Sequence, residues 1–411
     1  MTQELAAVVE KESAKLWNIH YINTLSVTLL VNIASIILIT LLPLYTMSLG
    51  GNNVVAGTLM TIFTISALLF RPVFGSMLDY YGRRVVLILG LCLFGVAALA
   101  LLLAHNITLV FILRFAQGIG LSAYSTALGT ILSDVVPSHK ISEGVGYFGV
   151  AATVAMAIGP SMGLYLCDQF GYQITYAVTF GISLIGAGFA CFINYETKHE
   201  NLGKRSRTVE IQERGRKSNN AWDFIEVTAL RPCIVIIFTV IAISSVFSFM
   251  PLFGKERNIP NIGLFFTCYA ASMIAARLVI GRIADKYGHR KIYLPAAVIT
   301  LFIFVTLIFA DSLGLVLLAA VFYGVGYGTV QPIINTMIIK RSPEERMGAA
   351  NATYYATMDI GFGLGSFVWG TVSQEAGFTA VFIGCAGCAA FSILLYFLLL
   401  HTNAGKNRVQ Y

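Results

Sequence analysis

Charge is what this sequence has least of: Asp, Glu, Lys and Arg together make 11% of its 411 residues, against 57% hydrophobic. A soluble globular domain carries nearer a quarter charged residues, so there are too few here to cover a water-facing surface. The mean hydropathy of +0.78 agrees. Signatures of membrane or soluble enzymes are missing too: there is no HExxH, no GxSxG, no paired His and acid cluster and no GxxxxGK(S/T) phosphate loop. These absences argue against an enzyme, an ATP-driven pump, a bound cofactor and a metal site. No alternating segments of about ten residues occur, which argues against a β-barrel. No cleavable signal peptide is evident. Glu4, Glu10 and Glu12 precede a first apolar run that is too long for one, so the first helix is expected to stay.

What is present are apolar stretches of eighteen or more residues, recurring from end to end. In lipid the backbone must satisfy its own hydrogen bonds, so each run reads as a helix. The runs predict an all-α integral membrane protein with spans at 20–45, 54–79, 84–104, 107–134, 141–167, 172–194, 230–253, 262–284, 290–310, 313–339, 344–373 and 377–400.

The net charge of +7 is explained by its placement. With the amino terminus in the cytoplasm and sides alternating, only Lys255 and Arg257 of the 27 Lys and Arg fall in outer loops, and Arg114 falls inside a helix. The other basic residues sit at inner loops, inner helix ends or the termini, the positive-inside bias. Topology therefore accounts for the basic balance, and nucleic acid is not an expected partner. Seven cysteines lie in or beside apolar runs. The CxxC at Cys385 and Cys388 sits among Gly384, Ala386 and Gly387 without a nearby His, and small-residue helix packing is the better reading than redox or metal chemistry.

The strongest pattern is an internal repeat at an offset of 206 residues. RPVFGSMLDYYGRR (Arg71–Arg84) matches RLVIGRIADKYGHR (Arg277–Arg290), with Arg71 on Arg277, Gly75 on Gly281, Asp79 on Asp285, Gly82 on Gly288 and Arg84 on Arg290. The register continues through Gly57 and Gly263, Gly118 and Gly324, Gly120 and Gly326, Pro137 and Pro343, Gly159 and Gly365, and Gly171 and Gly377. Two six-helix bundles follow, 1–194 and 230–411. Between them a polar stretch at 195–229 reads as a cytoplasmic linker, with a surface helix expected near Trp222–Val227; a regulatory or lipid-binding role is the competing reading.

These residues resemble the major facilitator superfamily over nearly the whole chain. The loop after the second helix is similar to that family's GxxxD-(R/K)-x-G-R-(R/K) pattern through Gly75, Asp79, Gly82, Arg83 and Arg84, and its second copy uses Gly281, Asp285, Gly288 and Arg290. Tyr80 and His289 depart from it where the family has basic residues. The resemblance implies an inner-gate latch, and static helix packing is the plainer alternative. RFAQGIG in the fourth helix, with Arg114 and Gln117, resembles the RxxQGxG motif of proton-linked members. The fifth helix carries Gly146, Gly159, Pro160 and Gly163 in the spacing of the antiporter motif, with Ala155 and Leu164 in place of two of its glycines. The resemblance implies a substrate near the midplane. Polar candidates for it are Asn32, Arg114, Gln117, Gln331, Asn335 and Asp359, with Tyr355, Tyr354, Tyr323, Tyr327 and Phe247 as aromatic walls.

Asp359 lies mid-helix, where burial disfavours its charged form and a nearby cation favours it. Proton or substrate coupling is the sharper reading, structural pairing the plainer one. The repeat is broken at Arg114 against Ala320, Pro160 against Ser366 and Asp359 against Thr153, which marks those positions as candidates for coupling. The expectation is proton-coupled efflux of small amphipathic compounds by alternating access, with a small molecule and protons as partners; proton-coupled uptake of a sugar, organic anion or other metabolite is the alternative. A monomer in a bacterial plasma membrane, both termini cytoplasmic, completes it.

Overall fold

Without water along an apolar run, N–H and C=O groups pair within the segment, and the computed structural model of the chain is built from helices accordingly. It describes residues 16–137, 140–194, 226–287, 289–343 and 346–401, without the side chains of 79, 141–142, 278–290, 347–348 and 401. The helices are α1 (Ile19–Ser48), α2 (Asn53–Tyr81), α3 (Arg83–Ala100), α4 (Ile107–Val135), α7 (Val227–Glu256), α8 (Leu264–Tyr287), α9 (His289–Ile308) and α10 (Leu313–Arg341), with two long runs, Ile141–Cys191 and Met347–Tyr396. Each long run breaks once at a glycine with left-handed φ: Gly171 at φ 79°, ψ 174° and Gly377 at φ 78°, ψ 172°. Only glycine adopts this conformation at no steric cost. The breaks divide the runs into α5 (141–170) and α6 (172–191), and α11 (347–376) and α12 (378–396). Twelve helices among the described residues thus match the twelve predicted spans, and the two breaks are one repeat apart.

The helix starts follow ordinary capping rules. Asn18 accepts from Tyr21 N at 2.8 Å, and Asn106 accepts from Leu109 N at 2.8 Å. α8 begins with an apolar stretch, 264–276, and carries Arg277, Arg282, Asp285 and Lys286 in its second half.

The chain forms two compact units, Met1–Leu38 with Ser66–Lys217 and Ile39–Ile65 with Ser218–Tyr411. The second takes in the end of α1, the start of α2 and the turn between, which the sequence repeat assigns to the first bundle. Thr61 Oγ1 donates to Gly363 O at 2.7 Å, and Asn53 N donates to Gln374 Oε1 at 3.1 Å, tying this segment to α11. Residues 195–225 of the expected linker, with nearly all of the expected surface helix near Trp222–Val227, lie outside the described residues; Val227 opens α7, so 227–229 are helical.

Packing inside the units repeats as the sequence does. A Cβ on Gly159 of α5 would lie 2.9 Å from Ile36 Cγ2 and 3.4 Å from Ile33 O in α1, and one on Gly365 of α11 would meet Ser244 and Ile241 in α7. Those α7 partners sit 208 residues beyond Ile36 and Ile33, the same two-residue slip that aligns Pro43 with Pro251. Gly120 of α4 presses on Phe94 in α3, and Gly326 of α10 on Thr300 in α9, again one repeat apart. Small residues let backbones approach where lipid offers no hydrophobic drive between helices.

At the start of α7, Glu226 accepts from Thr228 N at 3.1 Å and Thr228 Oγ1 at 2.8 Å, and pairs with Arg346 Nε at 2.6 Å. The Thr228 hydrogen bonds foremost, with Arg346 adding to them against the opposing cost of burial, hold its carboxyl below the usual carboxylate range. Because the folded-state value is depressed, this stabilisation is present above the ordinary Glu value of about 4.3 and is lost as pH falls through the folded value. Glu226→Gln is therefore expected to lower the melting temperature at neutral pH, with the gap to wild type closing below about pH 4. A gap that stays constant from neutral pH down to pH 3 contradicts this account.

Candidate functional site

Arg114 sits seven residues into α4 and is 1% exposed. Its Nη1 donates to Gln117 Oε1 at 3.0 Å, three residues on, where helix geometry puts side chains on one face. Gln117 is fully buried and its Nε2 has no hydrogen-bond partner among the described residues. Tyr124 of α4 interacts electrostatically with both Arg114 and Arg71 of α2, and it neighbours Ser35 of α1. A cation in a membrane helix is costly and turns to an interior or wet face. The first unit thus holds a buried polar cluster on α1, α2 and α4. Asn32 is half-buried on α1, and its Nδ2 donates to Thr28 O at 2.7 Å, within its own helix.

In the second unit the positions matching Arg114 and Gln117 are Ala320 and Tyr323. Tyr323 joins a group of buried rings on α7, α8 and α10: its centroid lies 4.8 Å from Tyr269, 5.6 Å from Tyr327 and 6.1 Å from Phe247. Arg277 of α8 donates to Gln331 Oε1 at 3.5 Å and interacts electrostatically with Tyr269, Tyr327 and Tyr354. Tyr354 Oη donates to Gln331 O at 3.5 Å. Asn335 Oδ1 is buried without a hydrogen-bond partner among the described residues. Tyr355 is exposed, and Asp359 lies half-buried in the middle of α11.

The loop motif divides into parts with different work. Gly82 has φ 90° and caps α3, a backbone that needs glycine. A methyl added at Gly75 would have nothing within 4 Å, so no close approach rests on it within the described residues. Arg83 Nε pairs with Asp134 Oδ2 at 3.2 Å, and its Nη1 reaches the Leu78 carbonyl at the end of α2. Arg84 Nη1 donates to Asn194 Oδ1 at 3.1 Å. The Asp79 side chain, Gly288 and the side chains of Asp285 and Arg290, with Gly281, lie outside what is described. In the antiporter-type motif Gly159 and Gly163 pack on α1, Pro160 is buried, and Gly146 is exposed with open space around it.

Breaking the Arg83–Asp134 pair is expected to cost about 1 kcal/mol, because Asp134 is 30% exposed and a partly wet pair is screened. A double-mutant cycle of Arg83→Gln and Asp134→Asn on detergent-solubilised protein measures it. A coupling near zero removes the pair from the account of this loop.

Three site residues escape the sequence reading. Asp134 carries no motif signal, since its repeat partner is Lys340. The charge bias alone places Arg71 and Arg277 at inner helix ends. They lie ten residues before the helix ends at Tyr81 and Tyr287, about 15 Å inward at 1.5 Å per residue. Counting from the helix end, rather than from the apolar run, would find them.

The Major Facilitator Superfamily profile matches residues 24–261 and 257–410. The staphylopine export protein of Staphylococcus aureus is 23% identical over 378 residues, 90% of this chain and 94% of that protein. The multidrug resistance protein MdtG of Klebsiella pneumoniae is 23% identical over 383 residues, covering 89% of each. A crystal structure of the nucleoside transporter NupG, in a point-mutant form, matches with TM-score 0.71 at 13% identity, covering 93% of this chain and all of that one; it bears on the fold alone. With its repeat, the twelve helices among its described residues and this profile over nearly its full length, the chain belongs to the major facilitator superfamily of multi-pass membrane transporters.

Proposed function

We propose that the protein is a proton-coupled exporter of small amphipathic compounds, working as a monomer in a bacterial plasma membrane with both termini cytoplasmic. The observation that carries the reading is the buried Arg114–Gln117 pair in α4, one of the places where the two repeats differ. The functions for which the relatives are named, staphylopine export and multidrug resistance, support the outward direction. The basic residues at the inner helix ends support the orientation.

In this scheme Asp359 takes and releases the proton, and Arg114 serves the coupling from its own bundle as the bundles alternate. One charge crossing 100 mV supplies about 2.3 kcal/mol, on the order of a fifty-fold concentration gradient. Cells that over-express the chain should accumulate less of several fluorescent amphipathic compounds, and collapse of the proton gradient should remove the difference. Asp359→Asn is expected to abolish it at unchanged expression. No effect over a broad panel, together with faster uptake of one metabolite, would replace export with the import reading.

A further inference from the structure

We propose that the cargo is a small organic anion, held in the second unit by the Arg277 guanidinium and the hydroxyls of Tyr269 and Tyr323. The inference deepens the exporter reading above and rests on it.

The first support is the charge buried in the helices. At seven or more residues from a helix end, the twelve helices carry Arg71, Arg114, Arg277 and Asp359 and no other Asp, Glu, Lys or Arg. Three cations stand against one anion in segments where charge is costly and retained for function. A cationic cargo would meet more repulsion than attraction, whereas an anion offsets the excess.

The second support is local. Tyr269 and Tyr323 are each 1% exposed, and neither hydroxyl has a hydrogen-bond partner among the described residues. Buried polar groups are normally satisfied, and each exception calls for an explanation. Their rings lie 4.8 Å apart, and Tyr323 continues to Tyr327 at 5.6 Å. Arg277 reaches this group from α8 with one nitrogen on Gln331, and it interacts with Tyr269 and Tyr327. A guanidinium presents several fixed N–H donors that match a carboxylate, and each phenol O–H is a further donor for an anionic oxygen. Phe247, 6.2 Å from Tyr269 and 6.1 Å from Tyr323, is the apolar neighbour of the two phenols.

Carboxyfluorescein, released inside cells from its diacetate, serves as the anionic probe and ethidium as the cationic one. Cells expressing the chain are expected to lose carboxyfluorescein at least five-fold faster than control cells, with ethidium loss unchanged. Arg277→Gln should remove the difference, and Arg277→Lys, which keeps the charge but not the fork of donors, should keep only part of it. Tyr323→Phe, which deletes one hydroxyl and little volume, should slow the loss several-fold at an unchanged melting temperature. Extrusion of ethidium without carboxyfluorescein overturns the anion inference and leaves the exporter standing. Carboxyfluorescein loss that Arg277→Gln and Tyr323→Phe leave untouched overturns the assignment of the site. Acceleration of neither dye overturns the anion inference, and the exporter reading falls with it if the broad panel also shows no effect and one metabolite is taken up faster.

Discussion

Arg114→Ala is expected to reduce coupled transport at least 100-fold while the protein still folds. A hundred-fold loss is about 2.7 kcal/mol in the barrier, within reach of one buried charged hydrogen-bonding group. The guanidinium is 1% exposed and bonds Gln117 at 3.0 Å. Removing it leaves Gln117 Oε1 without that donor, at about 1–3 kcal/mol. Against this, the variant no longer holds a cation in a membrane helix, which is itself unfavourable. The two terms oppose, so stability should change little. The second repeat supports this, since α10 places Ala320 at the matching position in a fully buried setting. Arg114→Lys keeps the charge but not the planar fork of donors, and should fall between Ala and wild type. Counterflow in proteoliposomes, with melting temperatures measured alongside, separates the two effects. Wild-type transport by Arg114→Ala removes the residue from the mechanism, and an unfolded Arg114→Ala shows that its role is structural.

Much of the fold is readable in the sequence because the physical constraint on it is severe. An apolar run in lipid has one economical conformation, so hydropathy places all twelve helices within a few residues of where they lie. The repeat is readable through glycines, and Gly171, Gly377, Gly159 and Gly120 each fix a backbone feature that a side chain would spoil. The site is less readable, for the same reason that the helices are easy. In the first halves of α8 and α10 almost every residue is apolar, aromatic or small, so no periodicity separates a face toward lipid from a face toward protein. Tyr269 therefore reads like any other aromatic, and Tyr355 reads as buried as Tyr354, though it is 49% exposed against 1%. The Arg83–Asp134 pair is a contact between α3 and the end of α4, and nothing in either segment names the other. Ile39–Ile65 groups with the second unit, and one of its ties there is Thr61 meeting a backbone carbonyl, a contact with no residue signature at Gly363.

Gly324→Ala should have the largest effect on stability of any single methyl added at the described glycines. A Cβ there would collide with Ser272 Oγ and the Tyr269 carbonyl, and would lie 2.5 Å from Met273 N. Two of these three are backbone atoms of α8, so no rotamer change relieves the contact, and α8 or α10 must shift as a body. Overpacking of this kind costs about 1–3 kcal/mol where side chains can yield, and more is expected where they cannot. Gly387→Ala is the control. It is also helical, has nothing within 4 Å of its added methyl, and should be neutral or stabilising, since Ala is the better helix former by up to about 1 kcal/mol. The displacement also carries a functional consequence. Ser272 Oγ donates to Tyr269 O at 2.8 Å and to Ala320 O at 3.3 Å, so the crossing that Gly324 permits also sets where α8 presents Tyr269 and, two turns on, Arg277. Gly324→Ala protein that survives extraction should therefore show a lowered melting temperature together with weakened carboxyfluorescein export. An unchanged melting temperature would mean that α8 and α10 do not cross this closely, and the geometry assigned to Arg277 would go with it.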